Sequence, residues 1–175
     1  MEKIDQIKSL IVEVENFPKP GISFKDITPL FLQPDLVRDT INEIANMVKH
    51  IDFDVIVSPE SRGYLFGVQL SLLLNKPFVF VRKKGKLPRP TVCVSYNLEY
   101  GSAELEISKD DIKPNQKVLI VDDILATGGT IHAIESLLKM MNAQIMGSVF
   151  LAELTSLNGK KDLSGEIQSL IKYKI

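Results

Sequence analysis

Residues 118–130 read VLIVDDILATGGT and decide the fold of this chain. The first four residues, Val118 to Val121, are all apolar, which is typical of a parallel strand covered on both faces. Two carboxylates, Asp122 and Asp123, follow this run directly, and a turn of small and hydroxyl-bearing residues then leads into a helical pattern. A strand, a turn and a helix in this order predict a ligand site at the carboxyl end of the strand.

The turn after the two carboxylates favours a phosphate group. It contains Ala126, Thr127, Gly128, Gly129 and Thr130, which offer backbone N–H groups and hydroxyls at the start of a helix. Unpaired donors and the helix dipole attract an anion there. The plain alternative is a glycine-rich turn beside two solvated acids.

Two nucleotide-binding motifs are excluded by what this turn lacks. A Walker loop needs a lysine where Gly129 stands, and a dinucleotide-binding loop needs the spacing G-x-G-x-x-G, which is absent. The two preceding carboxylates can only accept hydrogen bonds, so they suit a diol that donates two. The expected ligand is therefore a ribose 5-phosphate unit.

Bulk composition limits the partners of the chain. It has 175 residues, a formal net charge of -1 and one cysteine, Cys93, and one domain of this length can bury a sizeable core. The balanced charge gives no field that would attract nucleic acid or a membrane surface, and no apolar stretch approaches the roughly 20 residues that span a bilayer. The lone cysteine and the amphipathic N-terminus predict a cytoplasmic protein.

Hydrophobic spacing predicts an α/β fold. The predicted helices cover residues 4–14, a segment beginning near Pro34, a buried segment at 62–75, and 130–141. The predicted strands cover residues 54–58, 78–81, 118–121 and 147–154, and period-two alternation predicts an antiparallel hairpin over 91–96 and 103–107. These elements predict an open, largely parallel twisted sheet with helices on both faces.

Two further segments carry charge near predicted strand ends. Glu60, Ser61 and Arg62 form a second strand-to-helix turn, where the forked guanidinium of an arginine suits a diphosphate. A capped helix with a surface arginine is the plain alternative.

Residues 82–89, RKKGKLPR, place five cations in eight positions. A solvated loop, a nucleic-acid patch and a localisation signal are alternatives for this segment, but its position before the hairpin favours a lid over an anionic ligand.

The string VLIVDDILATGGT resembles the motif with which type I phosphoribosyltransferases bind 5-phosphoribosyl 1-pyrophosphate (PRPP). Blocks similar to the adenine-type members of that family extend from Phe17 to Gly159. They are FPKPGISFKDITPL, SPESRGYLFG, RKKGKLP, SYNLEYG and ELTSLNG. The resemblance implies one domain over 1–175, with a base-recognition hood over 1–33 and a flexible lid and hairpin over 82–107. It also implies the transfer of a phosphoribosyl group from PRPP to adenine, which gives AMP and pyrophosphate.

The same resemblance implies roles for the sugar-diphosphate residues. Asp122, Asp123 and the turn 126–130 would hold the ribose and the 5-phosphate. The residues implied for pyrophosphate are Glu60, Ser61, Arg62, Arg82 and Lys86, with an unusual cis peptide near Glu60. Arg82 would reach the pyrophosphate of the partner subunit in a homodimer. Mg2+ would arrive on the diphosphate rather than in a cage of protein side chains.

For the base, the resemblance implies that Phe24 stacks on adenine while the backbone of Ser23 and Lys25 reads its edge, and that Leu157 lines the pocket. If the resemblance is set aside, Phe24 is better interpreted as a core residue than as a platform for a ligand. Glu99 and Tyr100 would lie over the reacting base, and Glu99 is the candidate for taking the purine proton.

Three other functions fit parts of the sequence. An enzyme for a 6-oxo purine usually selects its base with a side chain late in the chain, whereas the recognition segment here is N-terminal. A ribosyl-sensing regulator of transcription needs an added DNA-binding domain. A synthetase that makes the sugar diphosphate ordinarily requires a longer, duplicated chain.

Overall fold

The structure is a computed structural model that describes residues 3–97 and 102–174. The helices in these ranges are α1 (Lys3–Ser9), α2 (Pro34–Val48), α3 (Arg62–Leu74) and α4 (Gly129–Met140), with 3-10 helices at Thr28–Leu32 and Thr155–Leu157. The strands are β1 (Val12–Glu15), β2 (Ser23–Asp26), β3 (Val55–Pro59), β4 (Phe78–Lys83), β5 (Thr91–Asn97), β6 (Ser102–Ser108), β7 (Lys117–Leu125), β8 (Gln144–Leu154) and β9 (Glu166–Tyr173).

Seven strands form one sheet in the order β5-β6-β4-β3-β7-β8-β9. The pairs β3–β4, β3–β7, β7–β8 and β8–β9 are parallel, whereas β4–β6 and β5–β6 are antiparallel. Val57 of β3 lies opposite both Val79 and Ile120, and it belongs to a large cluster of buried hydrophobic residues. The structure thus confirms the predicted open, largely parallel sheet flanked by helices, including the antiparallel hairpin.

The chain divides into two compact units, Met1–Glu43 and Ile44–Ile175. The first unit holds an antiparallel pair, in which Val14 of β1 lies opposite Phe24 of β2. The second unit holds the seven-stranded sheet. The single domain over 1–175, with its hood over 1–33 and its lid over 82–107, stays a prediction.

The predicted helix over residues 4–14 is wrong in its second half. The helix α1 ends at Ser9, and Val12 to Glu15 form the strand β1. Four apolar residues at helical spacing suggested one longer helix, but the backbone of this segment pairs with β2. Because that partner lies some ten residues further along the chain, local spacing could not show it.

The strand that carries the two acids is longer than predicted. Asp122 and Asp123 do not follow β7 but lie within it, since β7 runs to Leu125. Pairing with β8 continues past the acids and joins Ile124 to Ala152, which keeps the backbone extended despite the polar residues. The edge strand β9 was not predicted.

Helix α3 is only half buried, contrary to the prediction of a buried segment. Phe66 and Leu70 are fully buried, whereas Leu65, Leu72 and Leu73 are exposed. No helix among the described residues is long and apolar enough to cross a membrane.

The site lies where the direction of chain connection reverses. From β3 the chain passes through α3 to β4 on one side, and from β7 it passes through α4 to β8 on the other. The adjacent strands β3 and β7 therefore flank the switch point, where open α/β sheets bind ligands beyond their strand ends.

Candidate active site

A pocket enclosing about 290 Å³, open solvent included, follows β7. Its walls are Asp122 and residues 124–131, so the turn predicted to bind phosphate forms most of it. Gly128 has a left-handed backbone with φ +84°, which glycine adopts without steric cost. Helix α4 then begins at Gly129, and the first N–H groups of a helix have no acceptor within it. The turn can therefore bind an anion.

Residues 155–161, here called the strap, support this turn from behind. A Cβ atom added to Gly159 would lie well under 3.0 Å from the Ala126 carbonyl oxygen, and one added to Gly128 would meet the Gly159 carbonyl equally closely. The carbonyl of Lys161 also contacts His132 Nε2 of α4 at 3.1 Å. Sequence reasoning missed Gly159 as a support, because its partner turn lies some 30 residues earlier.

A buried carboxylate fixes the strap to the end of β8. Glu153 Oε2 lies 2.8 Å from Lys160 Nζ and accepts a hydrogen bond from Ser169 at 2.7 Å. Burial opposes ionisation of Glu153, but the hydrogen bonds from Lys160 and Ser169 outweigh it and lower the pKa of the carboxyl. No local pattern in the sequence indicates this role of Glu153. Leu157, predicted to line the base pocket, lies on the strap and is half exposed.

Asp122 and Asp123 are both buried and interact with each other and with the start of α3. Asp122 Oδ1 accepts a hydrogen bond from the Asp123 amide at 2.8 Å, and a Cβ on Gly63 would lie 2.8 Å from the same oxygen. Burial, and then the negative charge of Asp123, raise the pKa of Asp122 well above its ordinary value, against a smaller opposing effect of Arg62. Because Gly63 has no side chain, the Asp122 carboxyl has space beside the start of α3.

Asp123 faces the arginine of the second turn. Its Oδ2 lies 2.6 Å from Arg62 Nε, and no other described group forms a hydrogen bond to this oxygen. The structure therefore brings together three predicted site residues, Asp122, Asp123 and Arg62, at the switch point between β3 and β7.

The second turn contains the cis peptide that the resemblance implied, between Glu60 and Ser61. Glu60 accepts hydrogen bonds from Arg82 Nε at 2.8 Å and from the Lys83 amide at 3.0 Å. Burial opposes ionisation of Glu60, but these donors lower its pKa overall. Because a carboxylate would repel a diphosphate, its contacts indicate that Glu60 holds Arg82 beside the turn.

The basic segment 82–89 is held by hydrogen bonds to its backbone. Arg82 Nη1 donates to the Lys86 carbonyl at 3.1 Å. The amides of Lys86 and Leu87 both donate to Glu106 Oε1 at 2.8 Å. Sequence reasoning assigned no role to Glu106, which stood in the alternating hairpin as one acid among several.

Three of the four predicted base-recognition residues, Ser23, Phe24 and Lys25, lie on β2 in the first unit. The Phe24 ring packs edge-on against Phe17, with ring centroids 5.1 Å apart. Ser23 Oγ donates to Glu13, and Lys25 Nζ is buried against the same carboxylate at 2.9 Å. The hydrogen bond from Ser23, with the contribution of Lys25, lowers the pKa of Glu13.

Two of the predicted catalytic and lid residues, Glu99 and Tyr100, lie outside the described residues. Within residues 3–97 and 102–174, no three His, Cys, Asp or Glu side chains are grouped to hold a metal ion.

Replacing Gly159 with alanine should displace the phosphate turn, because the new methyl group would overlap the Ala126 carbonyl. We expect a loss of about 1–3 kcal/mol in the free energy of unfolding and weaker binding of ribose 5-phosphate. Urea unfolding and titration calorimetry measure the two effects. Gly129→Ala is the control for stability, since its Cβ would meet only Thr127 Oγ1 at 3.9 Å. Wild-type values for Gly159→Ala would show that the strap does not support the turn.

Replacing Asp122 with asparagine should stabilise the fold at neutral pH. The raised pKa means that the folded state binds the proton more tightly than the unfolded state, so wild-type stability falls as pH rises above the ordinary carboxyl range near about pH 4. Asparagine keeps the acceptor for the Asp123 amide but carries no charge. We expect the melting temperature of Asp122→Asn to exceed that of the wild type increasingly as the pH rises from about 4, by about 2–4 °C for each 1 kcal/mol. Asp123→Asn should show a weaker trend in the same direction, because it removes the negative charge that helps to raise the pKa of Asp122. A difference for Asp122→Asn that does not grow with pH would contradict the argument.

Comparison with known proteins agrees with the resemblance seen in the sequence. A family model for the phosphoribosyl transferase domain matches residues 31–168. The adenine phosphoribosyltransferase of Ureaplasma parvum serovar 3 is 51% identical over 173 residues, which cover 99% of this chain and 100% of that protein.

Two crystal structures of adenine phosphoribosyltransferases are also similar. The enzyme from Thermoanaerobacter pseudethanolicus has a TM-score of 0.94 and 46% identity, covering 97% of this chain and 99% of its own. The enzyme from Saccharomyces cerevisiae, solved with adenine and an imino-altritol bisphosphate, has a TM-score of 0.89 and 37% identity, with coverages of 96% and 98%. This chain therefore belongs to the phosphoribosyltransferase family, among its adenine phosphoribosyltransferases.

Proposed function

We propose that the two strand-end turns hold PRPP for the transfer of its phosphoribosyl group to adenine. The chain is a purine salvage transferase, which converts adenine and PRPP to AMP and pyrophosphate. One observation supports this function: a glycine-rich turn, a buried pair of carboxylates and an arginine meet at the switch point between β3 and β7. We further propose a cytoplasmic location, which the single cysteine, Cys93, supports.

The ribose 5-phosphate end of PRPP binds beside β7. The turn 126–130 surrounds the 5-phosphate with backbone N–H groups at the start of α4. Asp123 accepts a ribose hydroxyl, because its Oδ2 forms no hydrogen bond within the described residues, although it lies 2.6 Å from Arg62 Nε. Asp122 supports Asp123 by accepting its amide.

The diphosphate end binds beside β3. Arg62 stands about one-third exposed at the start of α3, and Ser61 precedes it in the turn. Arg82 and Lys86 add charge from the basic segment. Mg2+ bound through oxygens of PRPP would neutralise part of the diphosphate charge, since Mg2+ is usually held by substrate phosphates and one or two carboxylates rather than by an all-protein cage.

Catalysis is mainly electrostatic. As the bond at the anomeric carbon breaks, positive charge develops on the ribose ring and negative charge on the departing diphosphate. The carboxylate of Asp123, supported by Asp122, stabilises the positive charge on the ribose. Arg62 and Lys86 stabilise the negative charge on the diphosphate. We assign to Glu99 the role of taking or steering the purine proton as N9 attacks, and we assign Tyr100 to the lid.

Adenine is selected by the backbone of β2 and by Phe24. The edge contact with Phe17 fixes the orientation of the Phe24 ring for stacking on the purine, and Leu157 covers another part of the base. A main-chain carbonyl at Ser23 or Lys25 accepts from the 6-amino group of adenine. A 6-oxo purine would place two acceptors against each other, so it should be rejected strongly.

A base-competition assay tests this function. We expect purified protein with Mg2+ and PRPP to produce AMP and pyrophosphate in equal amounts from adenine, and to use hypoxanthine or guanine about 10⁴-fold less efficiently in kcat/KM. Chromatography of the nucleotides measures both. Similar rates with a 6-oxo purine would assign the chain to the other class of base.

We also propose a homodimer formed through the outer face of α3. Leu65, Leu72 and Leu73 are exposed, and their spacing of seven and eight residues puts them on one side of the helix. Phe80 on β4 is exposed as well, and its ring packs edge-on against Tyr64 of α3 at 5.1 Å. Exposed apolar clusters of this kind mark interfaces. Arg82 follows Phe80 by two residues and so shares its face of β4, which suits a contact with the partner subunit.

Replacing Leu72 with glutamate should dissociate the dimer, because two charges would be buried against an apolar surface. We expect sedimentation velocity to show a wild-type dimer and a folded Leu72→Glu monomer. Leu32→Glu is the matched control, since Leu32 is even more exposed, at 79% against 76% for Leu72, but lies in the first unit. A wild-type monomer, or a Leu72→Glu dimer, would refute this interface.

A further inference from the structure

We infer that Glu106 is a positioning residue, whose carboxylate holds the backbone of the basic segment so that Lys86 is presented to the diphosphate. This inference rests on the proposed function, in which Lys86 binds the diphosphate of PRPP. It adds a residue that neither contacts the substrate nor belongs to the motifs of the sequence.

The carboxylate of Glu106 reaches from the sheet into the connection between β4 and β5. Glu106 lies on β6 between its register partners Arg82 of β4 and Cys93 of β5. Its Oε1 accepts the amides of Lys86 and Leu87, both at 2.8 Å, and its Oε2 accepts the Thr91 hydroxyl at 3.2 Å. One side chain therefore holds the basic segment at two successive amides and at the residue where β5 begins.

Lys86 is held from its other side as well. Its amide is bound by Glu106, and its carbonyl accepts Arg82 Nη1 at 3.1 Å. Arg82 is in turn held by Glu60, which precedes the cis peptide in the second strand-to-helix turn. The peptide groups around Lys86 are thus linked to that turn through Arg82 and Glu60, and to the sheet through Glu106.

The physical cost of burying Glu106 indicates that these contacts matter. The residue is 4% exposed, and a buried charge is tolerated only when it is well hydrogen-bonded. Burial opposes its ionisation, but the amides of Leu87, Gly85 and Lys86 and the Thr91 hydroxyl outweigh this effect and lower the pKa of the carboxyl. The charged form therefore holds the segment at neutral pH.

A fixed backbone matters for a lysine because its side chain is long and loses much rotamer freedom when it binds. If the main chain were also loose, that ordering cost would be added to the binding of the diphosphate. Loss of Glu106 should therefore weaken the use of PRPP and leave the use of adenine unchanged. A general structural defect would affect both substrates alike.

The test compares three variants with the wild type. Glu106→Ala removes all the contacts, and Glu106→Gln removes the charge while keeping one oxygen. Glu104→Gln is the matched control, because Glu104 lies two residues earlier on the same strand and pairs through its side chain with Lys84 at 2.8 Å rather than with the loop backbone. Steady-state kinetics give KM for each substrate, and hydrogen exchange reports on the amides of Lys86 and Leu87.

For Glu106→Ala we expect faster exchange at both amides and a KM for PRPP raised about tenfold or more, the effect of losing a hydrogen bond to a charged group. The KM for adenine should stay within about twofold of the wild-type value, because Glu106 acts only on the segment that presents Lys86 to the diphosphate. Glu106→Gln should change both readouts in the same direction but less, and Glu104→Gln should match the wild type. If Glu106→Ala does not fold, Glu106→Gln decides the question by the same two readouts.

Unchanged exchange with an unchanged KM for PRPP, or an equal rise in both KM values, would overturn the role of Glu106. Failure of the proposed function looks different, because the wild type itself would then form no AMP. Exchange at Lys86 and Leu87 would still show in that case whether Glu106 holds the segment.

Discussion

The parallel pairing of β3 with β7 is the constraint on which the site depends. Because the chain leaves these two neighbours in opposite directions, their carboxyl ends face a crevice that no connection crosses. The pairing puts the start of α3 against the end of β7, so that Arg62 reaches Asp123. It also explains why residue 63 is a glycine, since any side chain there would occupy the place of the Asp122 carboxyl.

Charge compensation within the protein prepares this crevice for a polyanion. Three acids near the site are held by donors of the chain: Asp123 by Arg62, Glu60 by Arg82, and Glu106 by the amides of the basic segment. These acids do not cancel the cations that the ligand needs, but fix where the cations stand. Such preorganisation is what an electrostatic reaction requires, because little reorganisation remains to be done when charge develops.

Much of the fold was predictable because its signals are local. The apolar runs of β3 and β7, the alternation of the hairpin and the helical spacing of α2 and α4 each lie within one segment. The errors in assigning strands share one cause, which is pairing between distant segments. The strand β1 was taken for helix because β2 was not visible as its partner, and β7 was ended too early because β8 extends it past two acids.

The chemical groups of the site can be identified from residue type and order alone: two carboxylates, a glycine-rich turn and the cations of two further segments. Which of these groups contact one another follows from the three-dimensional packing. The structure showed that Gly159 supports the phosphate turn, that Glu153 anchors the strap and that Glu106 holds Lys86. This is because each position of the sequence specifies one type of side chain, whereas the hydrogen-bond partner of that side chain depends on how elements far apart in the chain pack together.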